Sequence, residues 1–442
     1  MRVVALTAAG ASRSAQAWGV RPVTMLQAAL VGLVIANVGR IPFLDLGDRE
    51  APILINELLV GVLLVVAAAA MARARSLKLN DVSLAALVFV AFGAIVTVAA
   101  IPRFGLSVGE VIISLAYLAR WCFYFAIYIV VINCVRAHEA GAVWRAAERA
   151  LLAIAIFGIF QSIFLPNFAF IVYPDARPFL DWDQQRHRLV STILDPNIAA
   201  TVIGMGLLVQ LARMSSGVRV PLWKPLVMSA AVVMTLSRSG LASLVVASSV
   251  IFLTRGLSKR VLRLAAVAVA GIIVALPKLI DFAAQYSRFG VTDASALARV
   301  TTWRQAIETF LASPWFGIGF NTYGFVQERR GIERLGVSAY SAEGGLLFIA
   351  VLTGVVGLII YLAMLWFAMR RCRVAWRDIR ATADERGVLI GTYSATVLVL
   401  VGSVFVNTLL MPFVMELLWV LWGLSFVIAG GIATRPLPRA AG

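Results

Sequence analysis

The sequence predicts an all-α polytopic integral membrane protein with about 12 transmembrane helices and one large periplasmic loop between helices 9 and 10. The composition, the apolar runs and the charge distribution each support this fold class. Of the 442 residues, 61% are hydrophobic and 14% are charged, and the mean hydropathy is +0.92. Soluble domains are closer to about 45–50% apolar and about 25% charged. The composition therefore excludes soluble enzymes, coiled coils, secreted disulfide scaffolds and disordered proteins.

Apolar runs of about 20 residues match the thickness of the hydrocarbon core of a bilayer. They predict twelve helices, at 23–38, 52–71, 82–100, 110–135, 147–165, 190–212, 222–236, 239–254, 261–280, 341–369, 388–406 and 413–433. The seventh and eighth helices are short and meet at the tight turn Ser237-Arg238-Ser239-Gly240. The first apolar run is expected to serve as an uncleaved anchor.

Basic residues alternate between the predicted loops. With a cytoplasmic N-terminus, the cytoplasmic segments hold 24 of the 39 lysines and arginines, and the short outside loops hold seven. This is the bias that the positive-inside rule describes. We therefore expect a bacterial inner membrane protein with both termini in the cytoplasm. Its divisions are a cytoplasmic N-terminus (1–22), helices 1–9 (23–280), a periplasmic loop (281–340), helices 10–12 (341–433) and a cytoplasmic tail (434–442).

The periplasmic loop carries its own helical signal between 296 and 312. Four apolar residues recur there at helical spacing, beside Arg299 and Arg304: Val300, Trp303, Ile307 and Phe310. Pro314, Gly317 and Gly319 then end the predicted helix. The sequence shows no repeat between its halves, which counts against transporters built from repeated units.

The net charge of +17 does not indicate nucleic-acid binding. The basic residues lie in short clusters between apolar runs, where they orient helices and meet anionic lipid headgroups. Three cysteines and two distant histidines provide no disulfide framework, no metal-ligand spacing and no Ser-His-Asp triad. We expect membrane lipids as partners and no metal site.

Polar residues placed at costly positions in a membrane protein are the first candidates for function. Arg188 precedes Asp195-Pro196-Asn197, which we expect within the first two turns of an apolar helix. Asn197 could then bind a ligand, and Pro196 would free a backbone carbonyl. The alternative is a helix cap and kink without a ligand.

Several arginines are also unexplained by topology. Arg238 lies at an outside turn, where it either reaches lipid headgroups or meets an anion in a cavity. Arg299 and Arg304 are either anion ligands or a solvated helix face. Arg120 lies inside the fourth span, where it either binds substrate or pairs with a carbonyl or an acid such as Glu110.

Glu343 is expected in the first turn of the tenth helix, after Tyr340 and before two glycines that would allow close approach of another chain or a sugar. A carboxylate is favoured there by the helix dipole alone, which is the alternative to a catalytic role. Arginine pairs bidentately with phosphate oxygens, and a carboxylate can deprotonate a hydroxyl. Together these residues favour a diphosphate substrate at the outer membrane surface.

Residues 185–430 resemble the O-antigen polymerase and ligase family of membrane glycan-assembly enzymes. The resemblance is carried by a series of short motifs in a fixed order: Arg188 with Asp195-Pro196-Asn197, Leu236-Ser237-Arg238-Ser239-Gly240, Arg299-x-x-x-Trp303-Arg304-Gln305-Ala306, Ser313-Pro314-x-x-Gly317-x-Gly319, Ala342-Glu343-x-Gly345-Leu346-Leu347 and Leu352-Thr353-Gly354-x-x-Gly357. The first five spans resemble the family only in hydropathy.

The resemblance implies a donor glycan on undecaprenyl diphosphate, an acceptor glycan, and transfer without nucleotide sugar, metal ion or other cofactor. Arg188, Arg238 and Arg299 are similar in position to the family's functional arginines. Arg304, Tyr340, Asn197 and Arg120 are assigned as further substrate contacts, and partners can include a chain-length regulator. Glu343 stands where the ligases carry a histidine, which favours a polymerase of O-antigen, capsule or exopolysaccharide; a ligase and a twelve-helix transporter are the alternatives.

We predict that the loop 281–340 lies outside the cytoplasm. An alkaline phosphatase fusion near Gly331 should be active, because the enzyme folds only after export, and one near Ala381 should be inactive. Phosphatase activity in cells expressing each fusion measures this. The reverse pattern would overturn the orientation and the choice of site.

Overall fold

The computed structural model describes residues 21–45, 50–172, 187–256, 259, 294–331 and 343–437. Within these ranges the helices are α1 (Pro22–Gly32), α2 (Ile55–Ala74), α3 (Asp81–Phe104), α4 (Val108–Cys134), α5 (Ala140–Phe164), α6 (Phe168–Val172), α7 (Pro196–Ser215), α8 (Trp223–Met234), α9 (Arg238–Arg255), α10 (Ala294–Ala312), α11 (Tyr323–Arg329), α12 (Gly345–Trp376), α13 (Ala383–Gly402) and α14 (Pro412–Ala433). Short 3-10 turns cover Ala36–Gly39, Ala137–Glu139, Ser191–Ile193 and Thr408–Leu410.

The helical membrane class is confirmed. Nine helices of the described ranges are long and apolar enough to cross a bilayer, and α1 and α8 are shorter apolar helices. The described helices overlap eleven of the twelve predicted spans, and the span predicted at 261–280 lies outside the described residues.

One element was not predicted. Strands β1 (Arg40–Asp45) and β2 (Glu50–Leu54) form an antiparallel hairpin between α1 and α2. The span predicted at 23–38 is correspondingly wrong at its end, because α1 stops at Gly32 and passes through a 3-10 turn into β1. A β-carbon at Gly39 would lie within 3 Å of three Ile55 side-chain atoms, so the chain returns closely past the start of α2.

The sixth predicted span also begins too early. Residues 191–193 form a 3-10 turn, and α7 begins at Pro196 with Asp195 as its N-cap. The Asp195 carboxylate accepts hydrogen bonds from the backbone N–H groups of Asn197 (2.7 Å) and Ile198 (2.9 Å). Proline at the first helical position frees no carbonyl, because that position needs no N–H donor. The expected kink at Pro196 is therefore wrong, and the capping role is observed.

Helix α7 is the central helix of the described bundle, and nearly all of its side chains are buried. It packs most closely on α13, where Gly387 and Gly391 face the backbone of Arg213 and Val209. Small residues four apart let two membrane helices approach backbone to backbone. This pair holds the two halves of the bundle at a fixed distance.

Helix α12 is broken at Gly354, whose backbone has φ 67° and ψ −172°. The segment 314–319, which we call the inserted segment, fills the break. The N–H groups of Ile318 and Gly319 donate to the carbonyls of Val351 (3.1 Å) and Leu352 (3.0 Å). In return, the carbonyls of Pro314 and Trp315 accept from the N–H groups of residues 355 (2.8 Å) and 356 (3.3 Å). Non-helical backbone at membrane depth requires partners of this kind.

The inserted segment is also fixed to α3. The Phe320 N–H donates to the Thr97 hydroxyl at 2.7 Å, and the Arg103 guanidinium donates to the Ser313 hydroxyl at 2.9 Å. Arg103 thereby has a structural partner. Residues 313–320 are consequently bonded to α3 and α12 by side chains as well as by backbone.

We predict that Gly354→Ala destabilises the protein by more than about 2 kcal/mol, because alanine is strained at positive φ and its β-carbon would collide with the inserted segment. An ideal β-carbon at Gly354 would lie 2.2 Å from the Trp315 carbonyl. The measurement is the thermal unfolding midpoint of the purified protein in detergent.

Gly61→Ala in α2 is the matched control, because a β-carbon at Gly61 meets no atom within 4 Å. Alanine is also the better helix former, so this variant should unfold at or above the wild-type temperature. Equal unfolding midpoints for the two variants would contradict the role given to the break.

Candidate active site

Arg188 lies on a short segment that runs between the ends of α5 and α8. The Arg188 Nε donates to the Thr235 carbonyl at 2.9 Å, and the Leu189 N–H donates to the Met234 carbonyl at 2.9 Å. Gln161, fully buried in α5, holds the same segment from the other side. Its Oε1 accepts from the N–H groups of residues 190 (3.0 Å) and 191 (3.1 Å). Arg188 is therefore oriented by α5 and α8 together.

Asn197 connects the start of α7 to the turn before α9. The Ser237 hydroxyl donates to the Asn197 Oδ1 at 2.7 Å and accepts from the Gly240 N–H at 3.1 Å as the N-cap of α9. The Asn197 side chain thus fixes the turn 236–240, which we call the Arg238 turn. The structure brings Arg188, Asn197 and the backbone of Arg238 to one end of the bundle.

Four of the five residues in the motif Leu236-Ser237-Arg238-Ser239-Gly240 have local structural roles. Leu236 takes the left-handed conformation (φ 53°), Ser237 caps the helix, and Ser239 is buried. Gly240 allows contact with α7, because its β-carbon would lie 2.7 Å from the Ala200 β-carbon. The remaining residue, Arg238, has an exposed side chain.

The position of Arg238 is electrostatically unfavourable for a cation. It is the first residue of the 18-residue helix α9, and the N-terminal end of a helix carries a partial positive charge. An anion near this end would be attracted both by the guanidinium and by the first N–H groups of the helix. The arrangement suits an anionic ligand better than it suits a purely structural role.

Backbone strain is concentrated around Arg188 and the Arg238 turn. Seven non-glycine residues of the described ranges have positive φ, and four of them are His187, Ser191, Leu194 and Leu236. They flank Arg188, Asp195 and Arg238. Strained conformations of this kind cost about 1–3 kcal/mol each and cluster at functional sites. This end of the bundle is therefore the candidate site on backbone geometry as well as on charge.

Glu343 lies outside α12, so its predicted position in the first helical turn is wrong. The helix begins at Gly345 with Gly344 as N-cap, and Gly344 has φ 94°. A β-carbon at Gly344 would lie 2.9 Å from the Val404 carbonyl oxygen, and one at Gly345 would lie 3.4 Å from the Asn407 Oδ1. The two glycines let the chain before α12 lie against the loop between α13 and α14. This leaves the half-buried Glu343 on an irregular segment instead of a helical face.

Helix α10 reaches this region through Trp303, whose Nε1 lies 3.6 Å from the position of a β-carbon on Gly344. The backbone of Arg299 lies on the same helix. Arg304 is 81% exposed and pairs with Glu308 at 2.9 Å, one turn later. Tyr340 lies outside the described residues.

The Arg238 turn and the segment before α12 that carries Glu343 are connected by the N-terminal end of α9 and the C-terminal end of α13. The Ser243 hydroxyl donates to the Ser239 carbonyl at 2.7 Å and lies 3.6 Å from the position of a β-carbon on Gly402. Ser403 in turn lies against Gly345, at 3.3 Å from its β-carbon position. Both candidate groups thus lie at the same end of the bundle.

Arg120 pairs with Glu57 in α2. Its Nη2 donates to the Glu57 Oε2 at 2.9 Å, and the Tyr124 hydroxyl donates to the Glu57 Oε1 at 2.7 Å. Arg120 thus has an acidic partner, which was one of the alternatives, and this acid is Glu57 instead of Glu110, because α2 packs on α4 at the level of Arg120. The contacts described for Arg120 join it to α2 instead of to the Arg238 turn.

Glu110 instead pairs with Arg329, the last residue of α11. Its carboxylate accepts two hydrogen bonds from the Arg329 guanidinium, at 2.7 and 2.8 Å. This pairing raises the pKa of Arg329. Gln327 and Arg330 both donate to the Thr309 hydroxyl, at 2.9 and 3.0 Å, so α11 is fixed to α10.

Sequence reasoning missed Gln161, Ser237 and Asn407 as site residues. Gln161 is a buried amide in an apolar helix, which is a signal that could have been used. Ser237 could have been identified as a cap from its position three residues before Gly240. Asn407 carries a buried Oδ1 with no hydrogen-bond partner, and nothing in the local sequence indicates this.

Residues 226–362 match the family model described as O-Antigen ligase. The matched segment begins in α8, includes the Arg238 turn, α10, the inserted segment and Glu343, and ends in α12 beyond the break at Gly354. No curated protein matches the chain. The match confirms the resemblance to the O-antigen polymerase and ligase family, whose members process glycans.

Proposed function

We propose that this protein, which resembles the O-antigen ligase family over residues 226–362, is a periplasmic-face glycosyltransferase. It polymerises undecaprenyl-diphosphate-linked oligosaccharide repeat units into a surface polysaccharide of the cell envelope. The observation that carries the proposal is the arginine site, in which Arg188 and the Arg238 turn are held together by Gln161, Thr235 and Asn197. Arginines at this membrane surface suit the diphosphate of a lipid-linked donor.

The proposed step is an in-line displacement at the anomeric carbon of the donor. A hydroxyl oxygen of the acceptor glycan forms the new glycosidic bond, and the bond from the anomeric carbon to the diphosphate oxygen breaks. The hydroxyl proton passes to a base, and the electron pair leaves with undecaprenyl diphosphate. Because a diphosphate is already a good leaving group, positioning and charge stabilisation supply most of the catalysis.

Arg188 and Arg238 are proposed to bind the departing diphosphate. The Nε bond to Thr235 fixes the direction of the Arg188 guanidinium, and the N-terminus of α9 adds its partial positive charge beside Arg238. Arg299 is proposed to approach from α10 with Arg304, and Tyr340 to contact the sugar. Asn197 and Arg120 are proposed to act in substrate binding mainly by holding the Arg238 turn and α4.

Glu343 is proposed as the base that accepts the hydroxyl proton. Gly344 and Gly345 let the segment that carries Glu343 pack against the loop 403–409, which supports it. A base placed beside a cluster of arginines can receive a proton while the developing negative charge is stabilised elsewhere. The same residue favours a polymerase over a ligase, since ligases of the family carry a histidine at this position.

A ligase that joins finished glycan to a lipid A core or a protein is the second candidate, because the matching family model is described as a ligase. The surface glycan of a deletion strain separates the two. Loss of a polymerase leaves single repeat units, and loss of a ligase leaves finished polymer on the carrier lipid. Chain elongation by the purified protein without an ion gradient would distinguish either enzyme from a transporter.

Arg238→Lys is expected to insert normally and to lose most polymer formation, because lysine keeps the charge and loses the bidentate fork. Arg255→Lys, at the exposed opposite end of α9, is the matched control and should form normal polymer. The measurement is polymer length on a gel at equal protein levels. Normal length in the Arg238 variant would remove this residue from the site.

Glu343→Gln is expected to slow repeat-unit transfer by about 10²–10⁴-fold, which is the usual cost of losing a general base. Glu343→Asp should retain part of the activity. The assay is transfer by the purified variant with lipid-linked donor and acceptor. Glu328→Gln, an exposed carboxyl on α11, is the matched control and should transfer at the wild-type rate. Wild-type turnover in the Glu343→Gln variant would leave the arginines as the only catalytic candidates.

A further inference from the structure

A groove of about 510 Å³ lies between α1 and α5, at the end of the bundle opposite the candidate site. It is lined by polar, small and basic side chains: Thr24, Gln27, Ala28, Val31, Ala142, Arg145, Ala146 and Arg149. By the charge distribution of the loops, this end of the bundle is expected to face the cytoplasm.

Arg145 and Arg149 are one helical turn apart on the same face of α5, and both are exposed. Neither guanidinium has a hydrogen bond or an ion pair within the described part of the chain. The Arg145 Nη1 lies 3.4 Å from the position of a β-carbon on Gly141, so this guanidinium folds back over the first turn of its own helix. Both charges are therefore presented to the groove without a protein anion.

The nearby acidic residues are already engaged. Glu148, on the opposite face of α5, accepts from Lys224 at 2.6 Å and from Gln210. Glu139 accepts from the Arg136 N–H at 2.9 Å. The sequences of 1–20 and 434–442 contain arginines and no Asp or Glu side chain.

Small apolar side chains line the groove beside the arginines. These are Ala28 and Val31 of α1 and Ala142 and Ala146 of α5, and none of them is larger than valine. Two cationic groups beside an apolar groove match a phosphate joined to an acyl chain. Each basic residue near an anionic membrane surface contributes about 1 kcal/mol of attraction.

We propose that this groove binds an anionic phospholipid of the cytoplasmic leaflet, with the phosphate between Arg145 and Arg149 and one acyl chain along Ala28 and Val31. Thr24 and Gln27 are placed to hydrogen-bond the headgroup. The bound lipid would join α1 to α5 and neutralise the two arginines. The lipid site is independent of the glycan chemistry proposed above.

The test is titration of the delipidated full-length protein in detergent with phosphatidylglycerol, with bound lipid counted by native mass spectrometry. The double variant Arg145→Gln/Arg149→Gln is expected to bind about 25-fold more weakly, from two contributions of about fivefold each. Its unfolding midpoint without lipid should be unchanged, because neither side chain has a protein partner.

The matched control is Arg73→Gln/Arg75→Gln, which removes two exposed arginines at the same end of the bundle, on α2 and its C-cap. This control should bind phosphatidylglycerol as the wild type does. If the control lost as much lipid binding as the groove double variant, the effect would come from general surface charge, and the proposed site would be overturned. Ala28→Phe keeps both arginines, fills the groove and is expected to exclude the lipid. Wild-type binding in either groove variant would overturn the proposal.

Two further arms identify the ligand. Phosphatidylcholine should not compete with phosphatidylglycerol, and glycerol 3-phosphate should not displace it, because the first lacks net charge and the second lacks acyl chains. Competition by either would overturn the assignment to an anionic phospholipid. Since the readout is lipid binding instead of glycan transfer, failure here leaves the proposed function unaffected, and the reverse also holds.

Discussion

The exchange of backbone hydrogen bonds between α12 and the inserted segment is the constraint on which the packing of α3, α10 and α12 depends. A helix break at membrane depth leaves carbonyl and N–H groups without partners, and lipid cannot supply them. The inserted segment supplies both donors and acceptors at the break, and Gly317 and Gly354 allow the close approach. The position of α10, and with it the approach of Trp303 to Gly344, follows from this attachment.

Much of the fold was predictable because hydropathy depends on local composition. The long helices α3, α4 and α14 begin and end within a few residues of their predicted bounds. The failures occur where partners distant in sequence decide the outcome. Strand β2 takes the first residues of the span predicted at 52–71, and Glu343 precedes α12 because Gly344 lies against the loop after α13. Neither contact can be inferred from the periodicity of one segment.

The candidate site was predictable to a similar degree and for a related reason. Arg238 was identified because its charge conflicts with the topology rule, and Arg188 and Asn197 because they are polar residues at the start of an apolar helix. The supports Gln161 and Thr235 were not identified, because they meet Arg188 only in three dimensions. The same limit applies to Arg120, whose partner Glu57 is 63 residues away and was less apparent than the nearer Glu110.

The inserted segment also constrains how the protein can be made. Residues 314–319 are synthesised before the second half of α12 exists, yet the break at Gly354 needs them as hydrogen-bond partners. Gly354 lies about 14 Å along the helix from Gly345, inside a helix that is long and apolar enough to cross a bilayer. Release of α12 from the translocation machinery into lipid alone would expose unpaired polar groups at a cost of several kcal/mol. The inserted segment must therefore meet α12 as that helix enters the membrane, which makes the timing of this encounter a determinant of yield for this chain.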